Sequence, residues 1–442
     1  MPSMSYSNFF HALLTRIFDA KKGRIFYGWW IVILGSLINS VGMGILYHSF
    51  TVFFLPLKRD FAVSRAAISL LYGAARLEGG IEGPIVGHLI DRFGPRAMIV
   101  TGVSLAGVGL ILLAMTRSFW SFFIIYISIV SLGYNAGFFH PVSTAVNSWF
   151  IRHRGVAFSC VSASGSVGAM FIAPLLSYII LNFGWRSGAV TAGLLILVVG
   201  LPAALPMHRS PETVGLHPDG ELYRRTELQE SNPIRPRAVD FDFSVKEALR
   251  TVTYWMLMGT ISLRLFVTVA LNTHFIPILV WRGVSETTAA YLVSLFALSA
   301  IFAMLLMGWV GDRWNKSLLC SLCIVPTIGV LVGLTLSRAA PLIYFFPIAL
   351  ASTMGIAPLN WALIGDFFGR QAYATLRGIM GICYGMATFI SPVYAGWVYD
   401  ATGSYKLVLI TFSIILLVVA SSFALLRRPA LPKAKEESLR YS

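Results

Sequence analysis

Twelve stretches of about 20 or more largely apolar residues, separated by short polar turns, dominate this chain, and each is long enough to cross the hydrocarbon core of a bilayer as a helix. A backbone surrounded by lipid has no water to bond to, so the helix, which satisfies its own N–H and C=O groups, is the form these stretches must take. They run near 28–56, 66–90, 97–115, 119–147, 155–181 and 187–206, then 251–281, 287–311, 317–337, 341–365, 372–399 and 404–426. Only 12% of the residues are charged and 57% are hydrophobic, against about a quarter charged in soluble domains. Water could not accommodate so much apolar surface, which excludes a soluble enzyme or binding module. The expected fold is an all-α polytopic membrane protein of two pseudo-symmetric six-helix bundles.

The net charge of +15 suggests a nucleic-acid partner until the basic residues are placed. About 24 of the 34 Lys and Arg fall in the termini and in the turns after even-numbered helices, about 8 fall on the opposite side, and Arg76 and Arg264 fall inside helices. Basic residues are retained on the cytoplasmic face, so both termini are expected there, in the cytoplasmic (inner) membrane. The charge is topological, and no nucleic acid is expected. Cys160, Cys320, Cys323 and Cys383 all lie in apolar spans. The Cys320-x-x-Cys323 spacing has no second Cys or His pair to complete a metal site, so neither metal nor cofactor is expected.

The division along the chain is residues 1–27 as a cytoplasmic N-terminal segment, 28–206 as one bundle, 207–250 as a polar cytoplasmic linker, 251–426 as the second bundle and 427–442 as a tail. In the first segment Phe9, Phe10, Leu13, Leu14, Ile17 and Phe18 alternate with His11, Arg16 and Lys21, a pattern for a helix lying on the membrane surface. No small-residue cleavage site follows an isolated apolar core, so no signal peptide is expected. Near the linker's end, Ser244 with Glu247 three residues on is a capping-box pattern for a short helix leading into the seventh span. Pro84, Pro141, Pro174, Pro277, Pro358 and Pro392 lie inside spans, where each removes a backbone donor and favours a kink.

A second regularity ties the halves together. Gly87, Asp91 and Arg92 recur at the same spacing as Gly308, Asp312 and Arg313, half a chain length later. Each copy closes an apolar helix on the same side of the membrane, and repeated halves of this kind build transporters that rock about a central site. Asp91 stands at a helix C-terminus, where the dipole disfavours it; a cation or a helix N-terminus from the other bundle would satisfy it. Glycines allow the turn, and Arg92 and Arg96 are placed to lock onto carboxylates across that side. The alternative is a solvated turn that only anchors topology.

These paired loops resemble the signature of the major facilitator superfamily. Tyr27-Gly28-Trp29-Trp30 opening the first span, the run Ser49 to Pro56, Ser64-Arg65 entering the second and Trp149-Phe150…Arg154-Gly155 entering the fifth resemble the monocarboxylate transporter family and its bacterial relatives, which include oxalate–formate exchangers. The resemblance implies a central cavity lined in part by the seventh helix, and places His48 where animal monocarboxylate transporters carry a lysine that binds protons and substrate. It also has gaps. Ala300 and Met304 stand where those proteins place an acid–arginine pair, and the eleventh span lacks the mid-helix lysine of oxalate exchangers.

Ionisable residues inside a bilayer cost roughly 2.5–3.5 kcal/mol each on insertion scales, so they face a partner or a wet cavity. Arg264, mid-way along the seventh span, offers a guanidinium fork to a carboxylate; the alternative is a structural arginine held by a buried acid or by carbonyl groups. Arg76 lies on a different face of its helix from Glu78 and Glu82. Arg264, Arg76, His48, Tyr384, Asn135 and Asn360 form the candidate substrate-binding set, with Asn272 and Trp361 as lesser candidates. His48, Glu78, Glu82 and His274 are the candidate proton carriers, while His140, next to Pro141, is read as associated with a kink. Gly87, Asp91, Arg92, Arg96, Gly308, Asp312 and Arg313 form the gating set.

The function these features imply is secondary active transport of a small organic anion, a carboxylate, with protons or a counter-anion supplying the driving force and a monomer as the working unit. No nucleotide-binding loop for ATP-driven transport is present, and no clustered nucleophile and base suggests an enzyme. Efflux of lipophilic or cationic compounds by the same fold, or a non-transporting membrane sensor, are the rival readings.

Overall fold

The computed structural model describes residues 26–220, 242–337 and 340–430. The amphipathic N-terminal segment, the middle of the linker and the last part of the tail lie outside the described residues, as do the side chains of His48 and Arg76.

All the spans are helices, and each begins and ends within four residues of its expected bounds. In chain order they are α1 (27–60), α2 (Arg65–Phe93), α3 (Pro95–Leu113), α4 (119–149), α5 and α6 (the two parts of Arg154–Ala204), α7 (252–281), α8 (Glu286–Gly311), α9 (Lys316–Leu336), α10 (340–368), α11 (Tyr373–Thr402) and α12 (Lys406–Leu425). Among the described residues ten helices are long and apolar enough to cross a membrane. One of them, Arg154–Ala204, has 51 residues and turns at Gly184, where φ is 85°. At 1.5 Å per residue it would otherwise reach about 76 Å, more than twice a bilayer core. The helix that fails the apolar test is α2, which carries Arg76, Glu78 and Glu82 in its middle. Counting α2 and dividing the 51-residue helix gives twelve spans.

Helix ends follow the local sequence. Ser64, Ser118, Thr251, Ser285 and Asn315 each cap a helix by accepting a backbone N–H, and Gly94 turns the chain between α2 and α3 at φ 87°. The expected capping box is present: Ser244 and Glu247 bond reciprocally at the start of the short helix Val245–Leu249. Several interior prolines break their helices just upstream, within the turn whose i→i−4 hydrogen bond they remove. The breaks at Phe138, His274 and Ile356 precede Pro141, Pro277 and Pro358 by two to three residues. α1 carries a π-helical turn at Met43–His48, and α4 a second one at Tyr126–Ser131. The irregular helices are therefore α1, α4, α7 and α10, every third one, and such irregularities tend to mark functional positions.

Within the first half α1 packs on α5 and α3 on α6; within the second, α8 packs on α10 and α9 on α12. The halves meet along two seams, α2 with α11 and α5 with α8. Small residues make both seams close. A Cβ on Gly83 would stand 2.7 Å from the Gly378 carbonyl oxygen, and one on Gly155 would stand 2.5 Å from that of Gly308. The outer faces remain apolar, with Leu181, Val198 and Phe302 at 78%, 69% and 65% exposed, as a lipid environment requires.

Candidate functional site

The hydrogen bonds and ion pairs joining the two halves, among the described residues, gather at the end of the molecule that bears the 87–96 and 308–316 segments, here called the basic end. Asp91, in the last turn of α2, accepts from the backbone N–H groups of Ala374 (3.2 Å) and Thr375 (2.8 Å) and from the Thr375 hydroxyl (2.6 Å). Asp312, just past α8, accepts from the N–H groups of Gly155 (2.6 Å) and Val156 (3.0 Å). Each acid thus caps the N-terminus of a helix from the opposite half, α11 and α5 respectively, where free N–H groups and the helix dipole favour a negative charge. Burial nevertheless pushes the Asp312 carboxyl above its ordinary range.

Gly87 and Gly308 do not make turns. They lie inside α2 and α8, and a Cβ at either would collide with a backbone carbonyl of the facing helix, Ala374 or Gly155. The arginines also differ from expectation. Arg92 lies over the ring of its neighbour Phe93, and Arg313 lies over Trp309 of its own helix while donating to its carbonyl oxygen. Arg96 is exposed. Among the described residues the ion pair across the halves is made instead by Arg154, 1% exposed, whose Nη1 meets Asp366 of α10 at 3.0 Å. Lys316 takes the other Asp366 oxygen at 2.8 Å. Arg154 and Lys316 thus converge on one partly buried acid at the end of α10, while Arg92 and Arg313 stay on rings of their own half.

The linker joins this seal from outside. Asp219, at φ 59°, accepts from the N–H groups of Ile151 and Arg152 at 3.0 and 2.9 Å. Asp242 does the same for Arg370 and Gln371, at 2.6 and 3.0 Å. The turns held are α4–α5 and α10–α11, which correspond in the two halves. Arg370 then reaches back to Glu212 at 2.8 Å.

Just above the seal a cavity of about 160 Å3 lies between the halves, lined by Gly79, Gly83, Tyr134, Asn135, His140, Arg377 and Tyr384, among others. Arg377, in the second turn of α11, is 5% exposed. Its guanidinium lies between the rings of Phe139 (4.7 Å) and Trp361 (4.4 Å), and Nη1 donates to the Ser143 hydroxyl. Its Nε has no partner and no carboxylate pairs with it among the described residues. Asn135 donates to Glu82 at 2.6 Å, so an acid stands beside the same cavity. Glu78, one turn away, keeps a buried oxygen without a partner.

Arg264 is elsewhere. It is fully buried inside the second half, donating to the Thr353 carbonyl oxygen at 3.2 Å. With its amide oriented to face the guanidinium, Asn360 accepts from Nη2 and Nε at 3.0 Å each. Both residues of that pair were expected at the substrate; they bond to each other and do not line the cavity. The reason is local: the break at Ile356 brings backbone and amide acceptors to α7, and these satisfy the guanidinium. His274 is also occupied structurally. One ring nitrogen meets the Pro392 carbonyl oxygen at 3.0 Å and the other the Tyr405 hydroxyl at 2.9 Å, which ties the break in α7 to α11 and α12. Of the expected substrate set, Asn135 and Tyr384 line the cavity, Arg264 and Asn360 do not, and Arg76 and His48 fall outside the described side chains.

Arg377 was missed because it sits five positions into the eleventh span and was counted with the basic turn before it. The expected tally of two helix-interior arginines therefore omits it. Its signal was available: the Arg377-Gly378 pair lies within 372–399. Asp366 was missed for the same reason, one residue past the expected end of the tenth span and on the other side of the same turn.

A family model described as Major Facilitator Superfamily matches residues 32–357 and 261–440. The chain is 24% identical to an MFS-type transporter, YcxA, of Bacillus subtilis over 93% of this chain and 98% of that one. It is 25% identical to monocarboxylate transporter 2 of the mouse, over 88% and 82%. Among solved structures, the transporter FucP in its outward conformation superposes with a TM-score of 0.68 at 14% identity, covering 90% of this chain and 99% of that one. The human organic anion transporter MFSD10 gives 0.61 at 15%, covering 89% and 98%.

Proposed function

The chain belongs to the major facilitator superfamily of membrane transporters, and from that premise we propose that it carries a small organic anion, a carboxylate, which binds at Arg377 rather than at Arg264. One observation carries the reading: a guanidinium lining the cavity between the halves, nearly buried, has an unpartnered Nε and, among the described residues, no acid paired with it. A buried cation without a counter-charge is costly, and a carboxylate arriving on the Nε side would supply both the charge and the missing acceptor. The aromatic faces of Phe139 and Trp361 fix the plane of the fork. Relatives named as monocarboxylate transporters agree with this class.

The cycle then follows from the seal. With the basic end facing the cytoplasm, as the placement of basic residues argues, the described state has its cytoplasmic side shut by Asp91, Asp312 and the Arg154–Asp366 pair. Opening that side breaks these contacts while the opposite side closes. Glu82 and Glu78 are the acids beside the cavity best placed to accept a proton in symport; anion exchange would need neither. The protein works as a monomer in the inner membrane in this reading.

Uptake of a labelled carboxylate panel into proteoliposomes, with and without a pH gradient, tests it. Arg377→Gln should abolish uptake that the parent shows, and Arg377→Lys should restore part of it. Uptake by Arg377→Gln at the parent rate would overturn the assignment. Efflux of a lipophilic cation, the second reading, draws on Glu82 beside the same aromatic walls; it predicts transport sensitive to Glu82→Gln and indifferent to Arg377→Gln.

A further inference from the structure

We infer that His140 is a positioning residue that locks, from within the cavity, the same helical turn that Asp91 locks from outside. This rests on the cavity assigned above, and concerns how its contents act on the seal. The first two turns of α11 are held by three groups of the opposite half. Asp91 of α2 accepts from the N–H groups of Ala374 and Thr375. His140 of α4 contacts the Ala374 carbonyl oxygen through Nε2 at 3.0 Å; a carbonyl only accepts, so Nε2 carries the hydrogen. Ser143, one turn beyond His140, accepts from Arg377 and passes its own hydroxyl hydrogen to the His140 carbonyl oxygen at 2.7 Å. The residue Ala374 is therefore gripped on both sides, its N–H by the outer acid and its C=O by the cavity histidine.

The two grips differ in what can reach them. Asp91 is at the basic end, outside the cavity, whereas His140 and Arg377 both line it. A ligand drawn to the free Nε of Arg377 pulls on the guanidinium that Ser143 holds through Nη1, so its arrival acts on the start of α11 before any contact at the end of α2 changes. The helix is built to transmit such a push. α4 breaks at Phe138, where φ is −113° and ψ −107°, so Phe139–Trp149 is a separate rod bearing His140 and Ser143. Movement of that rod loads the turn that Asp91 caps. A rigid connection of this kind gives occupancy a differential effect on the two states, which any ligand-driven change requires.

The test needs no ligand. Val86 lines the cavity just inside the seal and is 3% exposed. With the native cysteines replaced by alanine, Val86→Cys is alkylated in inside-out membrane vesicles by an impermeant maleimide, whose rate reports opening of the basic end. A lost hydrogen bond is worth about 1 kcal/mol, so His140→Leu and Asp91→Asn should each raise the rate about 5- to 10-fold. The double variant should go little beyond either single one, because both groups hold one turn. His140→Gln, which keeps a donor near the Nε2 position, should stay within about 2-fold of the parent. Fully multiplicative effects in the double variant, or a His140→Gln rate as fast as that of His140→Leu, would overturn the inference. If His140→Leu does not fold, His140→Gln and Ala374→Pro decide instead: Ala374→Pro removes one of the three bonds Asp91 accepts at this turn and leaves the carbonyl, so Asp91→Asn should add less in that background than in the parent, and an undiminished acceleration counts against the shared turn. Since no anion is present, failure here leaves the Arg377 reading standing, and loss of that reading in uptake leaves this result standing.

Discussion

The Arg154–Asp366 pair offers the sharpest perturbation of the seal. Arg154 belongs to the first half and Asp366 to the second, with side chains 1% and 25% exposed and 3.0 Å between charged atoms. Truncating one member of a fully buried pair costs about 3–5 kcal/mol, because the surviving charge is left without compensation. A quarter of the Asp366 side chain remains in reach of solvent, which screens part of that cost. About 2–3 kcal/mol is then lost from the sealed state. In the open state Arg154 is hydrated, so the loss is one-sided and Asp366→Asn should multiply the open-to-sealed ratio by about 30- to 150-fold. Spin labels at the exposed positions Phe93 and Leu318, one on each half at the basic end, would report this as a new long-distance population in pulsed dipolar spectra. Asp60→Asn is the control: it removes the Arg186–Asp60 pair, whose side chains are 44% and 36% exposed within one half, and should leave the distances unchanged. A distance distribution for monodisperse Asp366→Asn that matches the parent would refute the claim that this pair holds the halves together.

Other outcomes follow from the same contacts. Asn360→Ala should lower the melting temperature by the equivalent of about 2–3 kcal/mol, since Arg264 keeps only the Thr353 carbonyl; the KM for transported anion should not change, and a raised KM would return Arg264 to the site. Gly83→Ala places a methyl group 2.7 Å from the Gly378 carbonyl oxygen, so it should spread the α2–α11 seam and increase labelling of Val86→Cys from the basic side. Because burial raises the Asp312 carboxyl in the sealed state and solvation returns it to its ordinary value when open, the sealed state binds that proton more tightly. Acidification through the interval above the ordinary aspartate value should therefore favour sealing, and Asp312→Asn should remove this component from the pH dependence of the spin-label distances.

The sequence made the helices legible because lipid imposes one length and one pattern on all of them. α2 was legible for a different reason. Its three mid-span charges defeat a composition test, but its place between two turns of a repeated pattern requires it. Chemistry near the helix ends was legible in part. The dipole argument at Asp91 asks for a helix N-terminus from the other half, and the geometry at Ala374 and Thr375 supplies one. What periodicity could not reveal was the orientation of arginines. Arg264 at mid-span and Arg377 near a turn look like buried and exposed charges respectively, and the structure places the first in a satisfied interior site and the second at the cavity. The deciding acceptors, the Thr353 carbonyl and the Asn360 amide, come from a helix break nearly a hundred residues downstream. No local pattern in α7 records them.

The crossed caps carry a consequence for origins. The acid ending the second helix of each lobe docks on the start of the fifth helix of its counterpart, so every lobe both gives and receives the same handshake. Surfaces related in this way are isologous: one copy already holds both halves of the bond and can mate with an identical twin by a two-fold rotation. A six-helix ancestor would have needed no new contact to dimerise, and fusion of its gene to a duplicate would only have made that partnership permanent.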